Sequence, residues 1–185
     1  INSVGSLFKW LEGYFGITHD EMNWDNRCST ETDGIIVSGL NGISAPYWTG
    51  EFETQFFGLD RKSDPDELVR AGMESIGFLV NDICEVIQKE AKIELADIVA
   101  SGGSSRTSLL QFIADILRTD IATTSGKDMT ALGVARLVAH SVFGTPLGSV
   151  TERDEQFHPV MTAKVRDKKI FAWHDALRKL SILTN

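Results

Sequence analysis

The sequence predicts an α/β domain, on three observations. Short β-branched runs alternate along the chain with amphipathic helical patterns, and the longest helical pattern lies between two such runs. The stretch Leu95 to Leu117, LADIVASGGSSRTSLLQFIADIL, reads as strand, tight glycine turn and helix. In it, Ile98, Val99 and Ala100 suit a buried strand. Gly102 and Gly103 permit positive φ and the close approach of a ligand, and Ser104 or Ser105 is placed to cap the helix that follows. The free N–H groups of a helix start attract anions, so a nucleotide phosphate or ribose fits against this bare edge. Two glycines between a strand and a helix also serve as a plain βα connection, and the stretch alone does not choose between the two.

In chain order, Val4 to Tyr14 reads as a helix, with Val4, Leu7, Phe8, Leu11 and Phe15 at three- and four-residue spacings and Gly16 as its stop. Thr18 to Asp33 is polar and aperiodic. His19, Asp20, Glu21 and Asp25 lie close together there, but at no recognised metal-ligand spacing, and the stretch reads as a solvated loop. Gly34 to Ser38 carries Ile35, Ile36 and Val37 as a short buried strand, Gly39 to Gly50 is a packed loop carrying Tyr47 and Trp48, and Phe56, Phe57 and Leu59 form a further strand or its end. From about Pro65 to Ala91, Val69, Met73, Ile76, Val80, Ile83 and Ile87 form a sustained helical stripe. Asp64 is its N-cap, Pro65 takes the first helical position, and Asp66 and Glu67 complement the first turn. After the glycine turn and its helix come a strand at Asp120 to Thr124 and a helix at Met129 to Phe143, slim at Ala131, Gly133 and Ala135, with His140 expected buried among apolar neighbours. Thr145 to Pro159 reads as a loop with a solvated charge run at Glu152 to Glu155. About Thr162 to Leu183 reads as a terminal amphipathic helix, with Val165, Ile170, Trp173, Leu177 and Leu180 on one side. His158 and His174 have no partner at metal or catalytic spacing.

Composition bounds the function. The 185 residues, 42% hydrophobic and 24% charged, suffice for one domain that buries roughly 70% of its unfolded surface. A formal charge of -8 argues against nucleic acid or an anionic membrane as partner. Cys28 and Cys84 are too few for a disulfide framework, which points to a reducing cytoplasm. No apolar run reaches membrane-spanning length, and no signal peptide opens the chain. A start at Ile1-Asn2-Ser3, in mid-pattern, reads as a piece of something longer.

Four stretches in order carry a family resemblance. They are Gly5 with Lys9-Trp10-Leu11; GLNGISAPYW at Gly39 to Trp48; Gly58 to Ile76, through Gly58, Leu59, Glu67, Leu68, Ala71 and Glu74; and the glycine turn with SLLQFIADIL, followed by TALGVA at Thr130 to Ala135. Along nearly its whole length the chain resembles the C-terminal part of the FGGY carbohydrate kinases, within the actin-like ATPase superfamily, and lies closest to the glycerol kinase branch. The resemblance implies a ribonuclease-H-like lobe, a mixed sheet flanked by helices, with residues 1–185 forming most of the second lobe and lacking its start and the whole N-terminal lobe. It implies ATP, with magnesium held mainly through the nucleotide and the missing part of the chain, and a sugar or polyol bound by the missing lobe. Relatives that form dimers or tetramers make a homo-oligomer of the full-length protein an expectation.

Carried over residue by residue, Gly102, Gly103 and Ser104 face the adenosine and α-phosphate, and Thr107 stands where many relatives have a nucleotide-contacting Asn. Gly5 lies near the terminal phosphates and Lys9 replaces a Gln, while the slim TALGVA helix packs behind the glycine turn. Further departures are Thr49-Gly50-Glu51 after Trp48, Ser101 in place of an Asp, and Thr54 at the start of the second signature. In-line phosphoryl transfer needs a carboxylate beside the attacking hydroxyl and loops that cradle the phosphates. The resemblance implies that these lie upstream, so the expectation is a full-length kinase and an isolated chain without turnover. Two other classes remain: a dinucleotide binder, for which G-x-G-x-x-G is lacking, and a noncatalytic regulatory or assembly module of the same fold.

Overall fold

Eleven elements follow one another along the chain in the computed structural model, which describes residues 4–60, 62–96, 98–103, 105–124, 128–147 and 153–183. They are α1 (Val4–Phe15), α2 (Trp24–Arg27), β1 (Ile35–Val37), β2 (Gln55–Phe57), α3 (Pro65–Ala91), β3 (Ile98–Ala100), α4 (Thr107–Leu117), β4 (Ile121–Thr123), α5 (Met129–Phe143), β5 (Gln156–Phe157) and α6 (Ala163–Lys179). Strands β1 and β2 pair antiparallel, with Ile36 opposite Phe56. The other sheet is mixed: β3 and β4 run parallel, joined through α4 as a βαβ unit, and β5 adds antiparallel to β4 with Phe157 opposite Ile121.

Helix α3 is the spine, and its local chemistry is the one expected. The Asp64 carboxylate accepts from the Asp66 N–H at 2.8 Å, Pro65 occupies the first turn, and the helix ends at Lys92 in left-handed backbone. One apolar cluster joins α3 to α1, α2 and the inner face of α4 through residues such as Leu11, Trp24, Met73 and Leu110. The other joins α3 and α4 to β1 and α6 through Val37, Phe78, Phe112, Ile116 and Trp173. Gly77 lets α3 and α4 approach, because a Cβ there would lie 2.4 Å from Phe112 Cδ1. The Phe112 ring then meets Phe78 edge-on at 5.3 Å, and Phe78 stacks on Trp173 at 5.3 Å.

Five expectations change. Thr18 to Asp33 is not simply solvated: Met22, Trp24 and Cys28 are buried, and α2 forms around Trp24 because that ring has an apolar slot beside Phe8 at 4.6 Å. Strand β3 is half-buried rather than buried, since it is the outer strand of its sheet. Part of the loop at 145–159 is strand β5, which β4 recruits through backbone pairing. Helix α5 has no buried residue, so TALGVA does not pack behind the glycine turn, and His140 is exposed, with Nδ1 2.9 Å from the Thr145 carbonyl oxygen. Finally, His158 and His174 do meet carboxylates, Asp120 at 3.0 Å and Asp82 at 2.8 Å, which chain separation hides from spacing rules.

Candidate functional site

The glycine turn between β3 and α4 stands open. Gly102 has φ +109, a conformation that favours glycine, and its carbonyl accepts from the Ser105 N–H at 3.1 Å, which closes the turn. Both glycines are exposed, and a Cβ built on either would meet nothing within 4 Å. Thr107, the first residue of α4, is exposed beside them. Ser104 lies outside the described residues, and Ser105 stands one residue before the N-cap, its backbone N–H closing the turn. The N-cap is Arg106, whose side chain makes no capping bond. The Asp25 carboxylate instead accepts from the Ser108 N–H at 2.8 Å, across 83 positions of sequence. One N–H of the helix start is therefore already taken by an anion of the chain itself.

Gly5 and Lys9 share the exposed edge of α1, four residues apart, while Leu7, Phe8 and Leu11 turn into the core. A Cβ at Gly5 would meet nothing within 4 Å. The two candidate segments come near each other through residues that sequence reasoning passed over. The Arg106 guanidinium carbon lies 5.1 Å from the ring centroids of both Phe8 and Trp24, and Nη2 is 2.9 Å from His19 Nε2. His19 Nδ1 in turn meets the Glu12 carboxylate on α1. The alternation of Met22, Trp24 and Cys28 with polar residues was the one signal that this stretch packs.

Behind the junction, burial pushes the Cys28 thiol up to about 11, so it stays protonated. Trp24 Nε1 and Arg106 Nε are buried without a hydrogen-bond partner among the described residues. No group of three or more His, Cys, Asp or Glu among the described residues is arranged to hold a metal ion. No described helix is long and apolar enough to cross a membrane. What the arrangement offers is uncovered backbone at a strand-to-helix turn, and an exposed helix edge bearing a glycine and a lysine.

The model of the FGGY family of carbohydrate kinases, C-terminal domain, matches residues 2–142. The chain is 32% identical over 189 residues to glycerol kinase 1 of Thermotoga maritima, covering 97% of this chain and 38% of that protein. It is 30% identical over 183 residues to the glycerol kinase of Janthinobacterium sp. (strain Marseille), covering 95% of this chain and 37% of the relative. A crystal structure of Plasmodium falciparum glycerol kinase with ADP superposes with a TM-score of 0.80 at 29% identity, over 98% of this chain and 37% of that one. A ligand-bound xylulose kinase from Lactobacillus acidophilus superposes with a TM-score of 0.82 at 21% identity, over 97% of this chain and 39% of that one, and shares the fold. The chain thus spans a little over a third of the length of the relatives it matches. An open βα glycine turn, the four ordered motifs and the match over most of the chain agree: the chain belongs to the FGGY family of carbohydrate kinases, as its C-terminal domain.

Proposed function

We propose that this chain is the nucleotide-binding C-terminal part of an ATP-dependent kinase that transfers the γ-phosphate to a hydroxyl of glycerol or a related polyol or ketose. Residues 1–185 act as one lobe of that enzyme. The observation that carries the reading is the uncovered main chain at Gly102 and Gly103, in a chain of this family whose relatives include a glycerol kinase crystallised with ADP. Gly102, Gly103 and Thr107, with Ser104, take the adenosine and α-phosphate side of the nucleotide; Gly5 and Lys9 take the terminal phosphates, where the Lys9 ammonium adds a point charge that Gln would not. Magnesium comes mainly with the nucleotide and the rest of the enzyme. We assign this chain no catalytic residue, and propose that the carboxylate base and the acceptor's contacts belong to the rest of the enzyme. Two free, buried cysteines fit a reducing compartment such as the cytoplasm.

Gly103 is the position to test, because its φ is not in the left-handed region and its Cβ would have room, so a side chain there costs little in folding. Gly103→Leu should weaken ADP binding, followed by titration of the labelled protein, at least about tenfold, or 1.4 kcal/mol. Its circular dichroism should match the wild type. Unchanged ADP binding by the variant overturns the placement of the nucleotide at this turn and favours the assembly-module reading, which α5, with no buried residue, also supports.

A further inference from the structure

We propose that Arg106 is a positioning residue that pins the Gly5–Lys9 edge of α1 to the Gly102–Gly103 turn, so that both segments meet one nucleotide; this rests on the nucleotide reading above. Arg106 is a poor choice for the place it occupies. It is the N-cap of α4, where Ser, Thr, Asp or Asn would bond a free N–H and where the helix end is already partly positive. Its side chain does neither job of a cap. It turns away, and the Asp25 carboxylate bonds the Ser108 N–H instead.

What the side chain does is touch α1 at Phe8 and reach Glu12, one turn further on, through His19. The guanidinium lies 5.1 Å from the Phe8 and Trp24 ring centroids, a double cation–π contact in a partly desolvated site, where such contacts are strongest. Its Nη2 donates to His19 Nε2 at 2.9 Å, and the other nitrogen of that ring faces Glu12. With Nδ1–H donated to the Glu12 carboxylate, Nε2 is the unprotonated nitrogen that can accept from Arg106. Phe8 and Glu12 are four residues apart on one face of α1, and Phe8 neighbours Lys9 and follows Gly5 by three residues. At its other end, Arg106 precedes Thr107 directly and follows Gly103 by three residues.

Leu7, Phe8 and Leu11 of α1 already share one apolar cluster with Leu109, Leu110 and Ile113 of α4. Hydrophobic contact is non-directional, however, and tolerates sliding along the helix axes. A planar guanidinium held by two rings and a directed hydrogen bond does not. An ammonium cannot reproduce that geometry, since lysine offers a point charge on a flexible stem. Arg106→Lys therefore separates two roles. If Arg106 only attracts phosphate, lysine restores binding; if it positions, lysine fails as alanine does.

The experiment is a titration of the isotope-labelled chain with ADP, followed at the Lys9 and Gly103 amides, for the wild type, Arg106→Lys, Arg106→Ala and the distant cap variant Asp64→Ala. In the wild type and Asp64→Ala the two amides should respond with one midpoint. In both Arg106 variants affinity should fall about tenfold, with the Gly103 response kept and the Lys9 response lost. Wild-type affinity with both amides responding in Arg106→Ala, or full rescue by Arg106→Lys, overturns the proposal. A wild type in which neither amide responds to ADP overturns the nucleotide reading itself. The pin is then judged without ligand, and overturned if Arg106→Ala leaves the α1 amide resonances where they were.

Discussion

Glu74, which the sequence places in a family motif, is 1% exposed in the core face of α3 and is surrounded by two cations. Arg70 Nε donates to its Oε1 at 2.6 Å from one turn before, and Lys169 Nζ reaches its Oε2 at 2.8 Å from α6. The Lys169 ammonium also donates to the Thr32 carbonyl at 2.8 Å, so three acceptors meet its three protons. The charges are unequal: one anion serves two cations. Glu74→Gln leaves the buried Lys169 and the partly buried Arg70 without their shared anion, and should cost about 3–5 kcal/mol in urea unfolding, the range seen when a buried pair loses one member. Lys169→Met keeps the volume and leaves a neutral Arg70–Glu74 pair, so its cost should be clearly smaller, about 1–3 kcal/mol for the unmet Thr32 carbonyl and the lost bond. Equal costs would mean that the two cations do not share Glu74 as the geometry says.

The attachment of α6 to α3 is the element most open to pH. Asp82, 4% exposed on α3, accepts from Trp173 Nε1 at 2.7 Å and from the Tyr47 hydroxyl at 2.8 Å, and faces His174 Nε2 at 2.8 Å. Burial, with the Asp82 charge, pushes the Tyr47 phenol up, so it remains a donor. The hydrogen bond to Asp82 raises His174 above its ordinary 6.5; the Asp82 and Glu85 charges act in the same direction, against burial and Arg178. A raised folded value means that the folded state holds the proton more tightly, so the stabilisation is full below about pH 6.5 and is lost as pH rises through the folded value. His174→Gln should thus be less stable than the wild type at acidic pH and approach it at alkaline pH, as read by denaturant midpoints across that range. A stability gap independent of pH would contradict the ion pair. At this scale most elements were legible: the stripe from Val69 to Ile87 with Asp64 and Pro65 at its head marked out α3, because helix periodicity and capping are local. Strand β5 was not, since Gln156 and Phe157 have no pattern of their own and become a strand only where β4 offers an edge.

For the molecule as a whole, α5 stands apart from both apolar clusters, with Leu137 58%, Val142 65% and Phe143 78% exposed. An apolar helix left uncovered makes a surface that binds dyes and favours self-association. The chain should therefore bind a fluorescent apolar dye, and Leu137→Glu with Phe143→Glu should remove most of that signal while leaving the unfolding midpoint unchanged. A large loss of stability in the double variant would show α5 to be part of the core. The candidate site divides in the same way. Gly5, Lys9, Gly102, Gly103 and Thr107 could be named from motif and turn chemistry, and each is exposed where a ligand can reach it. His19, Trp24, Asp25 and Arg106 could not, because each acts through a residue far away in sequence.

The amino-acid sequence by itself determined the α/β class, the order of the helices and strands other than α2 and β5, the bare turn at Gly102 and Gly103, and the family to which the motifs belong. All of these follow from periodicity, backbone freedom and short-range patterns. Only the tertiary structure decided which polar groups meet: Asp25 with the start of α4, Arg106 with α1, Glu74 with Lys169 across 95 positions, and Asp82 with His174 across 92. The physical reason is that a buried charge takes whatever partner packing brings within about 3 Å, and packing is settled by non-directional apolar burial between elements distant in the chain.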